Sequence, residues 1–312
     1  MKHTPRRSAE SATASEMALI QKKMGYLTLE AQPREWLDTG SKLLNAVFGS
    51  EEKGIAYGKL IELFGPESNG KSLLALLLIS LAQADGADVA WLDFENSLDK
   101  AWAERQGVDW AKLYHFYPKL IRVGKAGKPR LQTAEELCKE LEFWMERRHH
   151  KGSGKLFIVT DSVAAMLVEE EAAAGVDEQN MRTRNALPMF LSQLLRRWVA
   201  LAQVYNCSMC FINQLRASIG TYGKSEDTPG GRALKFYASV RVGLRRVKGG
   251  KLLQKGKMVG LKGVMRNFKN KSGENSLEGQ ECGFKAYFLK NDWRFLSSKK
   301  LRKEQEEAGE VE

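Results

Sequence analysis

Two rhythms of apolar residues alternate along the chain. Short aliphatic runs at Leu60–Phe64, Asp88–Leu92, Leu156–Val159 and Ser208–Ile212 read as strands. Between them lie longer stretches with helical character. Leu73–Ala84 reads as a buried helix, a further helix falls near Leu98–Gln106, Thr133–Arg148 is amphipathic, and Phe190–Tyr205 forms a long helix. Strands spaced by helices of about 10–15 residues imply βαβ units and a mainly parallel sheet. Strand-like segments crowd the later part at Tyr237–Arg245, Met258–Met265 and Phe284–Leu289. Ahead of this core, residues 1–13 are polar and expected to be disordered. Met17, Ile20, Met24 and Leu27 then recur at i, i+3, i+7 and i+10, marking a short amphipathic helix. Such a helix either packs on its own domain or is offered to a neighbouring subunit. No internal repeat is visible.

Composition narrows the class. The longest apolar stretch, Leu73–Ala82, has 10 residues, where a bilayer span needs about 20. The N-terminus has no apolar signal core, so a cytoplasmic protein with no membrane association is expected. The four cysteines make no disulfide scaffold. Cys207 and Cys210 form a CxxC inside a strand-like run and are read as core thiols in a reducing compartment. His149 and His150, among Arg147, Arg148 and Lys151, read as a solvated turn. The net charge is +11, and its placement is informative: Arg232–Lys271 holds 13 Lys/Arg and no Asp/Glu, whereas Glu304–Glu312 holds five Glu and no base. The basic block either attracts a polyanion such as nucleic acid or simply turns its charges to water.

The strongest local signal is Gly65-Pro66-Glu67-Ser68-Asn69-Gly70-Lys71-Ser72, a complete G-x-x-x-x-G-K-[ST] between a predicted strand and a predicted helix. Such a loop closes backbone N–H groups around phosphate oxygens at a helix N-terminus. Lys71 is expected to reach the β/γ-phosphates and Ser72 to ligate Mg²⁺. The run Leu156–Asp161 ends in the acid that a P-loop needs to hold the metal, Asp161. Trp91-Leu92-Asp93-Phe94-Glu95 places further acids at a strand's C-terminal end, where ligands sit in open parallel sheets. Glu95 is then either the base that activates water or a loop carboxylate paired with a nearby lysine. A third strand ends in Phe211-Ile212-Asn213-Gln214, placing an amide where it can touch a γ-phosphate. The loop that follows, Leu215–Gly231, is rich in small and basic residues and contains Tyr222. That mixture suits single-stranded nucleic acid or an idle surface loop.

Ala233-Leu234-Lys235-Phe236-Tyr237-Ala238-Ser239-Val240-Arg241 resembles the signature nonapeptide of RecA recombinases. Gly65–Ser68, Asp161–Ala165 and Phe211–Gln214 stand in that family's order and spacing, and the likeness runs from about Asp38 to Leu289. The resemblance implies an α/β fold: a RecA-like P-loop ATPase core with a mainly parallel central sheet flanked by helices, plus a short N-terminal helix. It also implies ATP and Mg²⁺ as ligands and DNA-dependent ATP hydrolysis. Glu95 matches the catalytic glutamate, Gln214 the switch glutamine, and Asp99 and Trp102 the positions that contact adenine, with Trp where the family usually has Tyr. Glu169–Asn185 corresponds to the first DNA-binding loop, with Arg182 and Arg184 as phosphate contacts. Leu215–Gly231 corresponds to the second, giving Arg216, Tyr222, Lys224, Gly230, Gly231 and the adjoining Arg232 as DNA-binding candidates. Phe268-Lys269-Asn270-Lys271 resembles the segment whose lysines, Lys269 and Lys271, reach ATP bound on the neighbouring subunit; Phe236 matches a residue of that interface. The N-terminal helix matches the element that docks on the adjacent protomer.

Three departures accompany the likeness. The second loop is about one residue shorter, the first is followed by a longer helix start containing Pro188, and Ser272–Gly283 looks inserted. The organisation expected is a polymerisation helix and linker over 1–37, the ATPase core with both DNA loops over 38–290, and an acidic tail over 291–312, without the family's separate C-terminal domain. That compactness suggests a phage-encoded form. The function implied is a recombinase that forms helical filaments on single-stranded DNA and exchanges strands with homologous duplex. The competing readings are a RecA-fold hexameric helicase or ring ATPase, and a non-catalytic paralogue.

Overall fold

A computed structural model describes residues 35–122, 129–151, 154–174, 181–217, 226–227, 229–272, 278–289 and 291–307. All belong to one unit, Pro33–Glu312. The predicted N-terminal helix lies outside the described residues.

A nine-stranded sheet forms the centre. Its strands are β1 (Leu60–Gly65), β2 (Asp88–Asp93), β3 (Leu113–Phe116), β4 (Leu156–Asp161), β5 (Cys207–Gln214), β6 (Val240–Gln254), β7 (Lys257–Asn270), β8 (Glu281–Tyr287) and β9 (Asp292–Ser297). Across the sheet they run β9-β8-β7-β6-β1-β5-β4-β2-β3. From β6 to β3 every pair is parallel, and β6 to β9 form an antiparallel meander. The parallel strands read as near-continuous apolar runs because both faces are covered. Helix α2 (Lys71–Ala84) packs on one face with Ile61, Leu63, Val89, Trp91, Phe157 and Val159. Helices α4 (Ala134–Lys151) and α6 (Met181–Val204) pack on the other with Leu60, Ala90, Leu92, Leu156 and Ile158. The odd–even split along each strand is the two-residue period of a pleated sheet. It also separates Cys207 from Cys210, which lie in different cores on opposite faces; all four cysteines are buried free thiols. The remaining helices are α1 (Lys42–Phe48), α3 (Lys100–Arg105), α5 (Glu169–Ala173), α7 (Ala233–Tyr237) and α8 (Ser298–Glu307).

Several elements differ from expectation. Tyr237 closes helix α7 instead of opening a strand, because Lys269 Nζ donates to the Lys235 and Phe236 carbonyls at 2.9 and 2.8 Å and satisfies the helix end. Helix α6 begins at Met181, well before Phe190, and continues through Pro188. His149 and His150 occupy the last exposed turn of α4. The segment expected as a tail from residue 291 supplies edge strand β9 and helix α8. Leu301 of α8 is buried over Gly283, and Glu304 pairs with Lys285 at 2.8 Å. Residues 308–312 lie outside the described residues.

Candidate nucleotide-binding site

Strand β1 delivers the phosphate loop. Gly65 has φ +155°, and a Cβ there would stand 2.2 Å from the Leu244 carbonyl oxygen of neighbouring β6, so no side chain fits. Ser68 at φ 57° and Gly70 at φ 89° turn the chain into α2. The turn wraps Lys71, which is 7% exposed and donates from Nζ to the Gly65 and Pro66 carbonyls at 3.0 and 2.8 Å. Burial lowers the Lys71 pKa, and Asp161, Glu95 and Glu67 oppose that shift. Glu67 and Ser68 of the loop are exposed, while Asn69 is buried. A glycine-walled turn, an inward ammonium and the N-terminal amides of α2 together suit a triphosphate.

Two carboxylates face this loop. Asp161 ends β4 in register with Asp93 of β2. Burial pushes the Asp161 pKa up to about 7; Glu95 and Asp93 add to the rise, and a hydrogen bond from Ser72 and the charge of Lys71 oppose it. A hydroxyl beside a buried carboxylate is a hard oxygen pair, the donor chemistry that Mg²⁺ prefers. Glu95 Oε1 accepts from Ser162 Oγ at 2.5 Å and from Gln214 Nε2 at 3.4 Å. The segments that end β2, β4 and β5 meet at these contacts. Asp93 is engaged differently. Its carboxylate accepts the Ser97 and Leu98 N–H groups at 3.1 and 2.8 Å and faces His115 Nε2 at 3.4 Å. It builds the turn that carries Glu95, a role to which no motif pointed. Asp99 caps α3, its Oδ1 accepting the Trp102 N–H at 2.7 Å. The Trp102 ring lies 5.5 Å from Phe288, with the Arg105 guanidinium 5.5 Å above it.

The candidate DNA segments root next to these groups. Arg182 and Arg184 lie on the first turns of α6, with their side chains outside the described residues. Arg216 and Ala217 pair with Asp227 and Glu226 in a two-residue ladder at the neck of the second loop. Tyr222 and Lys224 lie outside the described residues. Gly230 and Gly231 adopt φ +85° and +71°, and Arg232 is the N-cap residue of α7. A Cβ on Gly230 would meet Leu191 Cδ1 at 2.3 Å. Phe236 on α7 is 73% exposed, and Phe268 on β7 is also exposed. Lys269 between them is held on α7; burial, then Lys271 and Arg241, lower its pKa.

The family model for the RecA N-terminal domain matches residues 14–277. The chain belongs to the RecA family. It is 35% identical over 269 residues to Protein RecA of Rickettsia africae and of Rickettsia bellii, covering 84% of this chain and 71% of each relative. It is 34% identical over 270 residues to Protein RecA of Ruminococcus albus, covering 84% of this chain and 61% of that protein. RecA family proteins are ATPases, and membership makes this chain a RecA-type recombinase rather than a ring helicase. Every candidate residue from Gly65 to Lys271 falls inside the RecA match. Among the described residues no helix is long and apolar enough to cross a membrane, and no His/Cys/Asp/Glu cluster forms a separate metal site.

Proposed function

We propose that this RecA-family protein is a DNA-dependent ATPase of the cytoplasm that polymerises on single-stranded DNA and exchanges strands with homologous duplex. The observation that carries the reading is the 3.4 Å approach of Gln214 to Glu95, which joins the root of the second loop to the carboxylate beside the phosphate loop. Residues 65–72 cradle the triphosphate of ATP, Lys71 leaves its carbonyl partners for the β/γ-phosphates, and Asp99 and Trp102 flank the adenine. Ser72 and Asp161 are the residues that would hold Mg²⁺, which when bound offsets the charge of the phosphate oxygens. Glu95 takes a proton from the attacking water; the new bond forms to the γ-phosphorus as the bond to the β–γ bridging oxygen breaks, giving ADP and phosphate.

Lys269 and Lys271 act on the neighbouring subunit's ATP, neutralising charge that develops there. For Lys269 this requires release of its two α7 carbonyls, so the ammonium is stored within the chain until a stronger acceptor arrives. Arg182, Arg184, Arg216, Tyr222, Lys224 and Arg232, with the glycine pair Gly230–Gly231, form the DNA surface. Residues 1–37 serve polymerisation and 38–290 the ATPase, with β9 and α8 completing the sheet edge. The test is steady-state ATP hydrolysis with and without single-stranded DNA. Strong stimulation that disappears in Glu95→Gln supports the reading; hydrolysis indifferent to DNA overturns it.

A further inference from the structure

Beside Gln214 lies a side chain that the proposed hydrolysis does not use. Asn213 is fully buried at the end of β5, in register with Phe64 of β1. Its amide has two N–H donors and one acceptor oxygen, and all three directions are engaged. Nδ2 donates to Glu62 Oε1 and to the Pro229 carbonyl, both at 3.2 Å, and Oδ1 accepts the Gln214 backbone N–H at 3.0 Å. Glu62, also fully buried, is in turn fixed from β6: Arg241 Nε donates to its Oε2 at 2.5 Å, and the guanidinium lies 4.7 Å from the Phe64 ring centroid. Flipping the Asn213 amide would set its oxygen against the Glu62 carboxylate, so one orientation is enforced.

The consequence is a rigid lateral brace across β6, β1 and β5. One arm holds Pro229, the C-terminal root of the second loop, and another holds the backbone of Gln214, whose side chain reaches Glu95. We propose that Asn213, locked by the Glu62–Arg241 pair, is the positioning residue that couples the C-terminal root of the second DNA loop to Gln214. This rests on the proposed DNA-dependent ATPase function. Movement of Pro229 when DNA engages the loop then shifts the Gln214 backbone, and loss of the brace uncouples the two.

Asn213→Asp tests it with little change of shape: the acceptor for Gln214 stays, both donors vanish, and a charge faces Glu62. The measurements are thermal unfolding, nucleotide affinity by fluorescent ATP analogue, and the ratio of hydrolysis rates with and without poly-dT. The expected result is a folded protein that binds the analogue, with the stimulation ratio at least tenfold below wild type. A merely structural role would depress both rates together and leave the ratio intact, which overturns the proposal. Should Asn213→Asp fail to fold, Arg241→Lys decides: it keeps the positive charge near Glu62 but withdraws the Nε bond. A threefold or greater fall in the ratio is then expected, and an unchanged ratio overturns the proposal. A wild-type protein without stimulation would instead remove the functional reading on which the proposal stands.

Discussion

Asp161→Asn probes the energetics of the nucleotide site in the absence of nucleotide. Asp161 is 4% exposed, and its pKa stands at about 7 against an ordinary 3.8, chiefly through burial and then through Glu95 and Asp93. A carboxyl whose folded pKa is raised takes up a proton on folding. Its charge therefore costs nothing below the unfolded value, costs more as pH climbs, and costs the full amount above the folded value. A displacement of about 3 pH units at about 1.4 kcal/mol each bounds that cost at about 4 kcal/mol. Asparagine keeps the shape, can still accept from Ser72, and carries no charge. In EDTA without nucleotide, denaturant or thermal melts at pH 8 should show the variant more stable by about 1–4 kcal/mol. At pH 5 that gap should shrink by about half or more, because the wild-type carboxyl is then largely protonated in the folded state. Saturating Mg²⁺ and ATP should reverse the order, since only the wild type gains full ligand-linked stability. A variant no more stable than wild type at pH 8, or a gap indifferent to pH, would refute the account of a charge held at a cost for the metal.

Glu95→Gln retains an oxygen for the Ser162 hydroxyl, so melting should be nearly unchanged while single-turnover hydrolysis falls about 10²–10⁴-fold; a loss under tenfold would remove Glu95 from the chemistry. In filaments mixed with wild type, the double variant Lys269→Ala, Lys271→Ala should suppress DNA-stimulated hydrolysis at the interfaces it faces, and normal rates there would sink the trans-acting lysines. Gly230→Ala forces φ +85° on a side chain and drives its Cβ into Leu191. DNA affinity should then drop with nucleotide affinity kept, the strain being about 1–2 kcal/mol; equal losses of both would contradict a local effect at the loop root. If phosphate contacts dominate, affinity for single-stranded DNA should fall by orders of magnitude between about 50 and 200 mM salt, and a flat titration would count against the basic surface.

What could be read in the chain depended on how local the physics is. The run Leu156–Asp161 declares itself because a strand covered on both faces must be apolar throughout. Residues 65–72 declare themselves because a phosphate cradle needs glycines and a lysine at fixed spacing. Helix α7 was hidden because the group that satisfies its last carbonyls, Lys269, belongs to another element. The ends of α8 and β9 were hidden for a similar reason. Leu301 and Glu304 acquire meaning only when Gly283 and Lys285 of β8 lie beneath them. Asp93 looked like one more acid in a cluster, and only its bonds to Ser97 and Leu98 separate a loop builder from a water-activating group. Asn213 carried no signal at all beyond its place before Gln214, since its three partners are Glu62 of β1, Pro229 at the loop root and the Gln214 backbone.

Two of the three lysines assigned to phosphate, Lys71 and Lys269, share one arrangement, and it suggests how the site reports its occupancy. Lys71 rests on the Gly65 and Pro66 carbonyls, Lys269 on those of Lys235 and Phe236. A neutral carbonyl is a weaker partner for an ammonium than a phosphate oxygen, because the anionic acceptor adds the attraction of opposite full charges to the hydrogen bond. Each lysine should therefore desert its carbonyls when phosphate arrives, and what it leaves behind matters. The Gly65 carbonyl also accepts the Leu215 N–H at 3.2 Å, so the departure of Lys71 alters the bonding at the first residue of the second loop. Departure of Lys269 unpins the last turn of α7, which follows directly from the loop's far end. On the proposed roles, phosphate bound on one subunit should leave the Gly65 carbonyl to Leu215 alone at the near root of its own loop and unpin the far root of its neighbour's. Beside the Asn213 brace, the exchange of four carbonyls for phosphate oxygens would give nucleotide and DNA a second, short route of coupling.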